Sequence, residues 1–281
     1  MLMPEVQGSG LGLRRDLMPA LAQSRQPLID FMEVAPENWI NIGGSLGKQF
    51  RSFTERYPFV FHGLSLSIGS PSPIDVSLVK NIKTLMQQHQ VSIYSEHLTY
   101  CSDDGHLYDL MPIPFTEEAV KYVSQRIRQV QDILEQPIAM ENASYYAAPA
   151  QEMSEIEFIN AVLEESDCKL LLDVNNIYVN SINHQYDPVE FLHALPGDRI
   201  AYGHIAGHYD EADDLKVDTH GADVKPDVWH LLEQAYQRFG VFPTLLERDF
   251  NFPPLDELLG EVAQIRQVQS SYQHSEHLAN A

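Results

Sequence analysis

The sequence predicts a (β/α)8 barrel of the α/β class, and two observations predict it. Eight short runs rich in β-branched and aromatic residues alternate with amphipathic segments of about ten to twenty residues, the pattern of parallel βα units. Seven of those eight runs break off in His, Asp, Glu or Asn, as barrel strands do where they reach the mouth. A length of 281 residues agrees, because barrels of about 250 residues are ordinary single domains.

Strands are predicted near residues 6–12, 29–34, 58–63, 91–97, 137–142, 169–175, 199–205 and 242–248. Helices follow near 16–25, 45–57, 75–89, 116–135, 154–166, 187–195, 226–239 and 255–269. The helix at 116–135 is the clearest, since Val120, Val123, Ile127, Val130 and Leu134 recur at spacings of three and four and share one apolar stripe. Ser154 with Glu157 forms a capping-box pattern, and Asp187-Pro188 reads as an N-cap followed by proline at the first helical position. The run Lys169-Leu170-Leu171-Leu172-Asp173 is apolar on both faces until its end, as a strand between barrel interior and helices must be. Gly8-Ser9-Gly10-Leu11-Gly12 lacks the lysine and the spacing of phosphate loops and is read as a tight first βα turn. The barrel is expected to take residues 1–270, with 271–281, including His274 and His277, as a flexible solvated tail.

Composition narrows the function. A hydrophobic fraction of 44% with 21% charged residues is that of a globular enzyme with a sizeable core. No stretch is long or apolar enough to span a bilayer, the first fifteen residues lack a secretory pattern, and a cytoplasmic protein is expected. Two cysteines, Cys101 and Cys168, supply neither a disulfide framework nor a thiolate metal site and agree with a reducing compartment. A formal charge of −22 repels phosphate backbones, so no nucleic-acid partner is expected. Ser65 and Ser67 lie near His62, but no nucleophile elbow of the G-x-S-x-G type occurs, which argues against an acyl-transfer triad.

The strand ends carry the chemistry. Glu33, His62, Glu96-His97, Glu141-Asn142, Asp173 with Asn175-Asn176, His204 and Glu247-Arg248-Asp249 close successive strands, and the seventh loop adds His208, Asp218 and His220. Singly, each reads as a satisfied structural residue. Together they would bury several carboxylates at one mouth, which costs several kcal/mol per ion unless cations are present. Imidazole and carboxylate without thiolate suit iron, manganese or zinc, and so many donors exceed one ion's needs, so two or three ions are expected. Tyr100, Tyr108, Tyr145, Tyr146 and Tyr178 fall in mouth loops and are candidates to line a substrate groove.

The runs Gly10-Leu11-Gly12-Leu13-Arg14, Glu33-Val34-Ala35-Pro36-Glu37-Asn38, His62-Gly63-Leu64-Ser65-Leu66, Ser95-Glu96-His97-Leu98, Glu141-Asn142-Ala143-Ser144, Leu172-Asp173-Val174-Asn175-Asn176, His204-Ile205-Ala206-Gly207-His208, Asp218-Thr219-His220-Gly221 and Glu247-Arg248-Asp249 resemble, in order, the multinuclear non-heme iron-dependent oxidative enzymes. The resemblance implies two or three irons and the use of O2 to modify cysteine residues of a ribosomally made precursor peptide, for example to oxazolone and thioamide, with a partner protein presenting the peptide. It implies Glu141, Asp173, His204 and Glu247 around one iron, His62 and His97 at a second that shares Glu141, and Asn176, His208, Asp218 and His220 at a third. Strand alternation would instead set Asn175 on the face of Asp173, and His208 is equally suited to orienting a neighbour. The strand-end pattern is also similar to xylose-isomerase-like barrels, which leaves a zinc- or manganese-dependent isomerase or phosphodiesterase as the alternative; a non-catalytic metal-storing protein is the third reading.

Overall fold

A computed structural model describes residues 5–23, 25–103 and 105–279, with the side chains of 106, 108 and 274–279 outside the description; Tyr108, His274 and His277 therefore lie outside the described side chains. The elements run β1 (Ser9–Gly12), α1 (Met18–Leu21), β2 (Phe31–Val34), α2 (Gly44–Thr54), β3 (Phe59–Gly63), α3 (Val76–His89), β4 (Ile93–His97), β5 (Thr99–Ser102), β6 (His106–Pro112), α4 (Glu117–Leu134), β7 (Ala139–Glu141) and α5 (Glu155–Ser166). They continue with β8 (Lys169–Asp173), α6 (Val174–His184), α7 (Pro188–His193), β9 (Ile200–Ile205), β10 (Gly207–Ala212), β11 (Leu215–Ala222), α8 (Pro226–Phe239), β12 (Thr244–Leu246) and α9 (Leu255–Ala279). Strands β1, β2, β3, β4, β7, β8, β9 and β12 pair in parallel and close into a barrel.

Two departures from the predicted barrel plan occur inside the loops. The loop after β4 folds into the antiparallel hairpin β5–β6, and the loop after β9 into the hairpin β10–β11. Between β8 and α7 lies α6, where a strand to residue 175 and a loop were expected. Its sequence, Val-Asn-Asn-Ile-Tyr-Val-Asn-Ser-Ile-Asn-His, is poor in strong helix formers, so local propensity hides it. What starts it is Asp173, whose carboxylate accepts the Asn176 amide at 2.7 Å as an N-cap. Helix α9 begins where predicted but runs on to Ala279 rather than stopping near 269.

The glycine run is not a turn. Gly10 and Gly12 lie within β1, and a Cβ at Gly10 would stand 2.6 Å from the Phe31 ring on β2. Close packing of neighbouring strands, rather than a bend, excludes larger residues there.

Inside the barrel, Phe31, Val60, Ala139, Leu171, Tyr202 and Leu245 pack into an apolar floor. Two residues further along the same strands come Glu33, His62, Glu141, Asp173, His204 and Glu247, all buried. Side chains two apart on a strand share a face, so each polar group stands one layer above the floor, toward the mouth. Outside, the stripe of α4 is buried as its periodicity predicts, and the Ser154/Glu157 capping box and Asp187 N-cap form.

Glu155, in the first turn of α5, is buried with its carboxyl accepting Tyr145 Oη at 3.2 Å and Asn180 Nδ2 at 3.1 Å. Asn180 in turn accepts the Tyr145 amide and donates to the Ala143 carbonyl, so this carboxyl braces the loop that follows Glu141. Burial, only partly offset by those donors, pushes its pKa up to about 7. The folded state therefore holds a proton that the unfolded chain has released between about pH 4.5 and 7, and stability falls as pH rises through that window. Relative to the native protein, Glu155→Gln should gain roughly 2–4 kcal/mol between pH 5 and pH 8. Denaturant melts of both proteins at the two pH values check this, and parallel shifts would refute it.

Candidate metal centre

Three groups of ligand atoms meet at the mouth end of the barrel. His62 from β3 and His97 from β4 point their Nε2 atoms at Glu141 Oε2, at 3.2 and 3.1 Å, and lie 3.2 Å from each other. His97 Nδ1 is 3.0 Å from the Gly63 carbonyl. A carbonyl only accepts, so Nδ1 carries the proton, and in the neutral ring Nε2 is a bare lone pair aimed at the same point as Glu141.

His204 from β9 occupies the middle. Its Nε2 reaches Glu33 Oε2 at 2.8 Å, while Nδ1 faces Glu247 Oε2 at 3.0 Å, Glu141 Oε1 at 3.7 Å and Asp173 Oδ2 at 3.8 Å. Each of these carboxylates divides its oxygens. Asp173 caps α6 with Oδ1 and turns Oδ2 inward; Glu247 gives Oε1 to Arg14 at 3.1 Å and turns Oε2 inward; Glu141 turns Oε2 to the two histidines and Oε1 to His204.

On the outer side, β11 brings His220, whose Nε2 lies 2.7 Å from Asp218 Oδ1 and whose Nδ1 lies 3.4 Å from Glu247 Oε2. His220 sits at φ 50°, a left-handed backbone that a residue other than glycine seldom adopts without other contacts holding it. Asn176, on the first turn of α6, donates to Glu141 Oε1 at 3.3 Å and to the Asn142 carbonyl at 3.1 Å. Strand alternation does not apply to the Asn pair, because the chain is already helical. Asn175 is thereby turned away to His208 Nδ1 and Asp218 Oδ1, both at 2.8 Å.

Of the ten residues singled out in the sequence, nine are thus brought together. His208 is not. Its Nδ1 meets Asn175 and its Nε2 lies 3.5 Å from Asp210, so it reaches the cluster only through Asn175 and Asp218. Glu33, absent from the ligand set drawn from sequence, belongs to the buried cluster with His204 and Glu247. Its place at a strand end, two residues past the interior Phe31, was the available signal. Asp249 pairs with Arg14 at 2.7 Å and His220 at 3.3 Å.

The electrostatics are unbalanced without a cation. Burial opposes ionisation throughout, yet His97 and His62 hold Glu141 well below the usual carboxylate range, and His220 and His204 do the same for Glu247. Burial and the adjacent Glu141 push Asp173 well above it. For His62, burial lowers the pKa but Glu141 and Glu33 outweigh it, taking it up to about 9.

Glu141 Oε2, Asp173 Oδ2, Asn176 Oδ1, His204 Nδ1 and His220 Nε2 are all buried with no hydrogen-bond partner. Buried polar atoms are seldom left so, and those of Glu141, Asp173, His204 and His220 instead face other imidazole or carboxylate atoms of the cluster across 2.7–3.8 Å. That spacing is close to the ligand-to-ligand separation around an ion with bonds of about 2.0–2.2 Å. Overlapping triads His62/Glu141/His204, Glu33/His204/Glu247 and Asp173/His220/Glu247 each have the reach to hold an ion.

A cavity of about 800 Å³ opens above the cluster. His97, Glu141, Asn176, His220 and Glu247 form its floor, and Leu64, Tyr100, Leu107, Met111 and Tyr146 belong to its walls. Of the other tyrosines, Tyr145 is buried against Phe115 and His184, and Tyr178 stacks on His208. No helix among the described residues is long and apolar enough to cross a membrane.

Comparison with known proteins places this geometry. An L-ribulose 3-epimerase superposes with a TM-score of 0.66 over 99% of both chains at 11% identity. An IOLI protein whose structure holds a zinc atom does so with a TM-score of 0.60 over 94% of this chain and 99% of its own, at 14% identity. At such identity the likeness is one of fold, the xylose-isomerase-like barrel. A UPF0276 protein of Shewanella loihica is 63% identical over 268 residues, 95% of this chain and 96% of its own. The model of the RiPP precursor modification enzymes MbnB/TglH/ChrH matches residues 8–270, so the chain belongs to that family.

Proposed function

We propose that this protein is a multinuclear iron-dependent, O2-using oxidase that modifies cysteine residues of a ribosomally synthesised precursor peptide, presented by a partner protein. The observation that carries the reading is the position of Glu141, whose two oxygens serve two different groups of donors 3.1–3.7 Å away. A carboxylate so placed would be shared by two ions, one on each oxygen. His62, His97 and Glu141 Oε2 would hold one; His204, Asp173, Glu247 and Glu141 Oε1 a second; His220, Asp218 and Asn176 a third, with His208 keeping Asn175 and Asp218 in place.

The donor set is imidazole, carboxylate and amide, which suits iron, manganese or zinc; iron, when bound, supplies one-electron chemistry with O2 and a Lewis-acidic position for a thiolate. The rest is the chain's own work. The barrel floor beneath the cluster is apolar and closed, so solvent and substrate enter only from the mouth side. The cavity has room for one side chain and its flanking backbone rather than a folded domain, and its Leu, Met and Tyr walls give an extended peptide apolar contact.

Iron-loaded protein, incubated aerobically with a short cysteine-containing peptide encoded beside its gene and with any co-encoded partner, should change the peptide's mass. An unchanged mass at full iron loading with the partner present would refute the oxidase. Bound zinc or manganese with turnover of a sugar would favour the isomerase instead.

Two predictions concern the metals themselves. Glu141→Ala should lose about two equivalents of metal and Asp218→Ala about one, measured by elemental analysis, because Glu141 faces both inner groups of donors whereas Asp218 faces His220 alone. Equal losses would refute the bridge. Metal must also displace the proton that Glu141 and Glu33 hold on His62 up to about pH 9. Affinity should therefore rise as pH increases from 6.5 to 8.5, by about tenfold per unit for each proton released. Calorimetric titration at three pH values tests this, and a flat profile would contradict it.

A further inference from the structure

Beneath the cluster, a line of buried hydrogen bonds joins two of its histidines from behind. His62 Nδ1 lies 2.9 Å from Ser95 Oγ, Ser95 Oγ 2.7 Å from Tyr202 Oη, Tyr202 Oη 2.7 Å from Glu33 Oε2, and Glu33 Oε2 2.8 Å from His204 Nε2. Ser95 and Tyr202 are fully buried and Glu33 is 1% exposed, so the line is closed to bulk solvent.

The line has one consistent direction. A carboxylate accepts and does not donate, so Tyr202 O–H donates to Glu33. The Tyr202 oxygen then accepts from Ser95 O–H, in preference to the longer 3.3 Å contact of that hydroxyl with the Phe61 carbonyl. The Ser95 oxygen in turn accepts from His62 Nδ1–H. From the other side, the same Glu33 oxygen accepts His204 Nε2–H. The lone pairs left over are Nε2 of His62 and Nδ1 of His204, the two atoms that face Glu141.

We propose that Tyr202, with Ser95 and Glu33, is a positioning residue that sets the tautomers of His62 and His204 together, coupling the two metal positions through their far sides. This rests on the metal-centre reading above, and Glu33 is then the carboxylate behind His204 rather than a ligand. The ring is separately held edge-on against Phe31 and His204, at centroid distances of 6.4 and 5.4 Å. Tyr202→Phe therefore removes the hydrogen bonds and keeps the packing.

The test is a Co2+ titration of metal-free protein, followed by the ligand-field absorption bands, on wild type, Tyr202→Phe, Ser95→Ala and Ser95→Thr. Partners of metal-binding histidines of this kind are worth about 10–100-fold in metal affinity. Tyr202→Phe should weaken two Co2+ equivalents by that factor and alter both band envelopes. Ser95→Ala should weaken one, and Ser95→Thr, which keeps the hydroxyl, should restore it. Wild-type titration of Tyr202→Phe, or equal effects of Ser95→Ala and Ser95→Thr, would overturn the positioning role while leaving the metal centre intact. Failure of the wild-type protein itself to bind Co2+ would overturn both.

Discussion

A two-residue step repeated around the barrel underlies the rest of this structure. On β2, β3, β7, β8, β9 and β12 an interior side chain, Phe31, Val60, Ala139, Leu171, Tyr202 or Leu245, is followed two positions later by Glu33, His62, Glu141, Asp173, His204 or Glu247. Strand geometry puts both members of each pair on the inner face, one layer apart. The apolar layer closes the barrel from below and shields the polar layer, where solvent screening is weakest and charge is felt most.

The polar layer in turn sets the loops. Asp173 spends one oxygen on starting α6, which carries Asn175 and Asn176 to their places. Glu247 spends one on Arg14, tying the end of β12 to the chain just past β1. Asn180 and Glu155 hold the loop after β7 from outside. Such divided use of carboxylates orients the remaining oxygens inward with little freedom, so the site is organised by the same bonds that end the strands.

The hairpins β5–β6 and β10–β11 convert a ring of strand ends into a cleft. The second also supplies His208, Asp218 and His220, which a simple barrel plan has no strand to carry. This part of the cluster has its donor side chains on a loop hairpin, and one of its histidines, His208, is held back by Asn175 and Asp210. The inner donors sit at the ends of barrel strands.

The sequence by itself determined the barrel, the order of its eight strands and the inner donors His62, His97, Glu141, Asp173, His204 and Glu247. Hydrophobic period and abrupt polar strand ends are local properties, visible in any window of a few residues. It did not determine helix α6, the two hairpins or the strand role of the glycine run: α6 is started by Asp173, three residues before Asn176 and itself a site residue, against weak local helix propensity, the hairpins form inside loops by antiparallel pairing, and Gly10 answers to the Phe31 ring on the next strand. Tertiary structure alone decided that Asn176 rather than Asn175 faces Glu141, that His208 stands apart, and that Glu33 sits behind His204. Those are questions of which atom of a side chain points where, and that is settled only by partners 33 to 171 residues away.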